Sequence, residues 1–257
     1  VTHPETGEVF HLRLLVRVLL SKATYYSRAG DQESNLKILD EIGVILDNEI
    51  YINGRTELLL ESAALQVNKT AALCRVKNFT RACDTAEQGC SICEYLQRRN
   101  TRSDIRWLDS ALRLSWASAL TESNQLALAL EKVNSVTSYR ENRLKVVDQL
   151  SGRLGFANAC SIKADVLLKM GRHEEALISA GKGVNQLSFL KAHNADMDQM
   201  KVALKVMEKY LQSLLNTGSI RQFQEAEHQV IGMIEDYNEN HEKILSEPEL
   251  RDLSSVI

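Results

Sequence analysis

Cys83, Cys90 and Cys93 are the side chains that come nearest to a chemical site. The Cys90-Ser-Ile-Cys93 spacing is that of half a zinc site, and Cys83, seven positions earlier, falls on the same face of a helix. Zinc would need two further ligands, and the sequence holds no second CxxC and no HxxxH pair. Elsewhere in the chain the matching positions carry Leu, Val, Thr or Ile, so these thiols are expected to pack as small apolar side chains. The histidines (His3, His11, His173, His193, His228 and His241) are scattered, with none three or four residues from another. A phosphate-binding GxxxxGK[ST], a GxGxxG, an HExxH and a GxSxG are all missing. No metal, no cofactor and no enzymatic activity are expected.

The elements that position these residues follow from composition. Hydrophobic residues make up 44% of the 257 and charged residues 25%, enough for a sizeable core and too apolar for a disordered chain. Aromatic residues are only 5%, low for a sandwich or barrel, and the two prolines, Pro4 and Pro248, sit at the extreme ends. The chain therefore reads as all-α. A net charge of −3 provides no field for a nucleic acid or an anionic membrane. Apolar runs such as Leu58 to Leu60 fall far short of the ~20 residues of a membrane span. Five cysteines, an odd number, fit a reducing compartment and an intracellular (cytoplasmic or nuclear) location better than a disulfide framework. The sequence opens on Val1 and shows no leader, so it is expected to be part of a longer protein.

Internal similarity then appears at a spacing of 47 residues. The strings SKATYYSRAGD (21–31), NKTAALCRVKN (68–78), SWASALTESNQ (115–125), IKADVLLKMGR (162–172) and KYLQSLLNTGS (209–219) align without gaps. Their corner residues are Gly30, Lys77, Asn124, Gly171 and Gly218, and Gly or Asn tolerates the left-handed backbone that ends a helix. Four residues before each corner stand Tyr26, Leu73, Leu120, Leu167 and Leu214; seven before stand Ala23, Thr70, Ala117, Ala164 and Leu211. Twelve before stand Val18, Leu65, Leu112, Ala159 and Val206, and the three columns share roughly one helical face. After the corner, Leu39, Ala86, Val133 and Ala180 form a further column, which the fifth copy breaks with Glu227, as a terminal unit facing solvent would. Each unit is a pair of antiparallel helices.

The spacing and the corners predict first helices near 8–28, 57–75, 104–122, 143–169 and 196–216. Second helices are predicted near 32–49, 79–98, 125–138, 173–190 and 219–238. The units span about 8–50, 57–99, 104–140, 143–190 and 196–239 within a single domain, 1–257, with a C-terminal cap over 240–257.

The segment from Ala157 to Leu187 resembles a tetratricopeptide (TPR) motif. Ala164 matches the small residue of the motif's first helix, Gly171 its turn, and Ala176 the small residue after the acidic pair Glu174 and Glu175. Ala180 and Gly183 match later packing positions. The other units depart, with Asn35 and Phe223 in place of Ala176, and the 47-residue period exceeds the ~34 of the family. The resemblance is to a long-period TPR-like repeat. It implies a right-handed α-solenoid of about five helix pairs, a TPR-like superhelix, whose inner surface is lined by first helices. Its implied role is that of a scaffold or adaptor binding another protein in the concave groove. An architectural arm of a stable multiprotein assembly, proteasome-lid-like or cohesin-loader-like, and a ligand-sensing solenoid are the alternatives.

By position in the resemblance, the inner surface carries Arg17, Thr24 and Arg28, then Asn68 and Arg75, then Ser118. Asn158, Ser161 and Asp165 follow, and Glu208 and Gln212 complete it, so the surface runs from basic to acidic. Chaperone-binding TPR domains hold a terminal carboxylate with a Lys and Asn clamp; Leu20 and Thr24 stand where the first Lys and Asn belong and only Asn68 matches, so that ligand is not expected. Lys22, Lys69 and Lys163 share the position eight before the corner, completed by Trp116 and Tyr210. Two readings stay open. Each ammonium meets a carboxylate of the facing helix, for example Asp84 or Glu87 near Lys69, or the three form a ladder for an acidic peptide. Arg98, Arg99, Arg102 and Arg106 read as a solvated junction, because a nucleic-acid patch needs interleaved aromatics and only Trp107 is near. The glycosylation-like triplets Asn68-Lys-Thr70 and Asn78-Phe-Thr80 read as coincidences.

Overall fold

A computed structural model describes residues 7–100, 102–190 and 194–241, and every regular element among them is helical. The helices are α1 (Gly7–Arg28), α2 (Gln32–Asp47), α3 (Leu59–Arg75), α4 (Phe79–Arg99) and α5 (Ser103–Glu122). They continue with α6 (Leu126–Leu144), α7 (Leu150–Lys169), α8 (His173–Val184), α9 (Met197–Asn216) and α10 (Ile220–His241). Two compact units contain them, Val1–Gln125 with α1–α5 and Leu126–Ile257 with α6–α10. No helix among the described residues is long and apolar enough to cross a membrane.

The corners carry the regularity. Gly30, Lys77, Asn124, Gly171 and Gly218 all lie in the left-handed region, with φ of 81°, 58°, 58°, 71° and 71°. At each corner the next residue's N–H donates to the carbonyl five positions back: Asp31 to Tyr26, Asn78 to Leu73, Gln125 to Leu120, Arg172 to Leu167 and Ser219 to Leu214, at 2.8–3.0 Å. The corner's own N–H donates three positions back, so each corner is a Schellman motif closing the last helical carbonyls. At two corners an Asx side chain then caps the next helix: Asp31 accepts from the Ser34 N–H and Asn78 from the Arg81 N–H. The Asn78 triplet thus has a structural role.

The apolar columns close the core. Leu73, Leu120, Leu167 and Leu214 are buried, as are Ala23, Thr70, Ala117, Ala164 and Leu211. Each buried Leu is worth about 1.5–3 kcal/mol relative to exposure. Thr70, the polar member, gives its hydroxyl to the Gln66 carbonyl at 2.7 Å. Cys90 and Cys93 lie in a cluster with Ala63, Ile105, Leu108 and Leu112, as small core side chains. Second helices sit on the following first helices: α2 on α3 and α4 on α5 in one unit, α6 on α7 and α8 on α9 in the other. The closest approaches need glycine. A Cβ on Gly89 of α4 would stand 2.7 Å from Leu112 of α5, and one on Gly183 of α8 would stand 3.1 Å from Val206 of α9.

Four expected boundaries are corrected. The second helix expected over 32–49 ends at Asp47 and continues as one π-turn, Asn48–Ile52. The helix expected over 125–138 runs to Leu144, because no breaker interrupts Tyr139 to Leu144. Arg140 is half-buried and its guanidinium donates to the Gly155 carbonyl, tying the extension to α7; desolvation there lowers its pKa to about 10. The first helix expected from 143 therefore begins only at Leu150. The helix expected over 173–190 stops at Val184, where Gly181 and Gly183 weaken it, and a 3-10 turn over Leu187–Phe189 follows. The cap expected over 240–257 lies, beyond His241, outside the described residues.

Candidate functional site

Within each unit the first helices form the tighter layer. α3 packs directly on α5, and α7 on α9, in addition to the second helices between them. The second helices diverge enough to leave a groove floored by a first helix. In one unit the groove between α2 and α4, about 690 Å³, is lined by Tyr51, Gln66, Lys69, Gln88 and Ser91 among others. In the other, between α6 and α8, it is about 350 Å³ and lined by Glu141, Phe156, Lys163, Glu175 and Lys182 among others.

The polar residues expected on the inner row divide by what they do. Arg17, Thr24 and Arg28 are exposed on α1 and Arg75 is exposed on α3, while Asn68, Ser118, Asn158 and Asp165 are half-buried. Thr24, Asn68 and Ser118 donate to carbonyls four residues back on their own helices, at 2.9, 3.0 and 3.3 Å. Arg17 and Arg75 make no ion pair among the described residues. Ser161, expected on the surface, is fully buried, with its hydroxyl 3.4 Å from the Lys205 carbonyl, because α9 covers that side of α7.

Across α7 and α9 the row is already paired. Lys209 stands 3.0 Å from Asp165 and 3.0 Å from Glu208, and Gln212 bridges Glu208 and Lys209. Burial pulls the Lys209 pKa down, but Asp165 and Glu208 more than offset it, holding the ammonium above its ordinary value. Sequence reading missed Lys209. The signal lay between columns, since Asp165 six before one corner faces Lys209 nine before the next.

The lysine column is corrected in its partner. Lys69 pairs with Asp40 of α2 at 2.6 Å, and not with Asp84 or Glu87. The position eight before the corner points away from a first helix's own partner and toward the second helix of the preceding pair. The same rung recurs between α8 and α9, where Tyr210 lies over Gly181 at the position matching Asp40. Lys163 is half-buried on its groove floor, and Lys22 is exposed.

Arg98, Arg99, Arg102 and Arg106 lie at the junction of α4 and α5, where Arg102 pairs with Asp104 and Arg99 lies over the Tyr95 ring, as a solvated junction would. Burial pushes the Cys93 and Cys160 thiols up to about 12, which keeps them protonated and unreactive at neutral pH. Among the described residues no three His, Cys, Asp or Glu side chains gather as a metal site.

No protein-family model and no curated protein matches the sequence. Solved structures do. A variant of a candidate kinesin light chain from Podosopora anserina with nearly identical TPR-like repeats superposes with a TM-score of 0.63 at 18% identity, covering 90% of this chain and 97% of that one. A second structure of that Podosopora anserina protein gives 0.60 at 17% identity, covering 85% and 94%. With five matching corners and helices packed in consecutive pairs, the chain has a TPR-like, all-α helical-repeat fold.

Proposed function

We propose that the chain is a non-enzymatic protein-interaction module that holds a partner segment on its row of first helices. The observation that supports this reading is the pair Arg17 and Arg75, exposed cations on the packed helices α1 and α3 that make no ion pair among the described residues. Arg28 and Thr24 stand in repeated columns beside them. Arg75 shares its column with Arg28, two before the corner. The carboxylates of an extended acidic segment could meet those two guanidiniums at the spacing of the helix pairs, with Arg17 further along α1. In the second unit the corresponding row is already neutralised by its own Asp165–Lys209 pair.

The test is selection of displayed peptides on the full chain, followed by titration of the enriched sequences. Acidic peptides binding at micromolar affinity, weakened about tenfold or more by Arg28→Glu with Arg75→Glu, would support the reading. Peptides whose affinity ignores both substitutions would place binding elsewhere. The architectural-subunit reading is favoured by a different observation, the exposed apolar side chains Phe10, Leu14 and Val18 at intervals of four along α1.

A further inference from the structure

The lysine column is matched in one groove and unmatched in the other. Between α2 and α4, Lys69 is held by Asp40 at 2.6 Å. Between α6 and α8, Lys163 occupies the same position, eight before its corner, and the residue matching Asp40 on the covering helix α6 is Asn134. The exchange leaves a polar group unsatisfied on each side. The Asn134 Oδ1 is buried with no hydrogen-bond partner among the described residues, and Lys163 makes no ion pair among them. The other charged side chains lining this pocket are Glu141, Glu175 and Lys182, and each is already matched. Lys182 stands 3.4 Å from Glu141, and Glu175 accepts two hydrogen bonds from Arg172, at 2.7 and 2.6 Å. The hydroxyls of Thr137 and Ser179 donate to the Val133 and Cys160 carbonyls, each at 3.0 Å. One positive charge is therefore left over in the pocket, on the half-buried Lys163.

We propose that this pocket binds a carboxylate carried on a short apolar stem, which takes toward Lys163 the part that Asp40 takes toward Lys69. A half-buried ammonium without a counter-ion gains a charge-assisted hydrogen bond from one such group. A monoanion balances the single remaining charge. A phosphate dianion overshoots it and is repelled by the Glu141 and Glu175 carboxylates on the pocket walls. Ile178, 64% exposed on the α8 wall, and Leu167 beneath it give the stem apolar surface to cover. The volume, about 350 Å³, admits one side chain or a small acid, and not a helix about 10 Å across. An acidic residue of a partner peptide and a free carboxylic acid both carry the required group. The site lies between second helices, so it goes beyond the row of first helices assigned above to a partner segment.

The test follows the Leu167 and Ile178 methyl groups by NMR while hexanoate is titrated into the full chain at fixed ionic strength. Saturable shifts with a millimolar Kd are expected, about fivefold or more tighter than for neutral hexanamide or for inorganic phosphate. Lys163→Met, which keeps the apolar stem, brings hexanoate down to the level of hexanamide. Asn134→Asp supplies the missing carboxylate from α6 and weakens hexanoate about fivefold, with hexanamide unchanged. A capped Ala-Leu-Glu-Leu-Ala peptide that binds about tenfold tighter than hexanoate, and loses this in Lys163→Met, assigns the carboxylate to a partner's acidic residue. Equal or weaker binding of that peptide assigns it to a free acid. No saturable shift, hexanamide or phosphate as tight as hexanoate, or hexanoate indifferent to Lys163→Met overturns the proposal. So does hexanoate binding that strengthens with Glu247→Gln, Glu249→Gln and Asp252→Asn together, which would put this chain's own carboxylate in the pocket.

Discussion

Helices α1 and α3 carry the same columns and live in opposite surroundings. Leu65 of α3 is 2% exposed beneath α2, whereas Val18, its counterpart on α1, is 57% exposed. Lys69 is held by Asp40, whereas Lys22 faces solvent. The repeat pattern therefore fixes which side of a first helix is apolar, and the preceding second helix decides whether that side is buried. A repeat of this type is an interface before it is a core.

Truncation at the two matched positions separates pattern from cover most sharply. Leu65→Ala should lose about 2–4 kcal/mol in chemical denaturation, while Val18→Ala should stay within about 0.5 kcal/mol of the wild type. Equal losses would mean that α1 is covered in solution as α3 is. The covering helix can be probed from its own side. Gly89→Ala forces a Cβ to within 2.8 Å of both Leu112 and Gln66 and should cost about 1–3 kcal/mol. Gly43→Ala meets only an ordinary 3.8 Å contact with Leu65 and should be neutral or stabilise by up to about 1 kcal/mol through helix propensity. Smaller effects are expected where the two regions do not differ, at the corners. Gly171→Ala, at φ 71°, should cost about 1 kcal/mol, and Lys77→Gly, at φ 58°, should gain about 0.5 kcal/mol by relieving a left-handed non-glycine residue. A Lys77→Gly variant less stable than the wild type would show that the side chain has a role beyond its backbone.

Much of the fold was legible because the corners are local. A residue tolerant of positive φ, a large apolar residue four before it and a small one seven before it encode a Schellman motif and a helix contact within a dozen positions. Lys77 was recognisable only through its spacing, since its type argues against the conformation it adopts. The extension of α6 to Leu144 was not legible, because Arg140 reads as a surface residue until α7 supplies the Gly155 carbonyl that receives it. The candidate site was less legible than the fold for the same reason. Whether Lys69 turns to its own pair or to the preceding one depends on how two pairs stack, and the columns alone pointed to Asp84 and Glu87 rather than to Asp40. Ser161 and Lys209 show the same dependence, each defined by a neighbouring helix 44 positions away.

The central claim, that α3, α5, α7 and α9 are each covered by the second helix that precedes them, is tested most directly by double-mutant cycles on Lys69. Lys69→Ala combined with Asp40→Ala should show a coupling of about 0.5–1 kcal/mol that falls with added salt, and Lys69→Ala combined with Asp84→Ala should show none. Coupling of Lys69 to Asp84, with none to Asp40, would contradict the stacking register and remove the basis for reading α1 as an uncovered face.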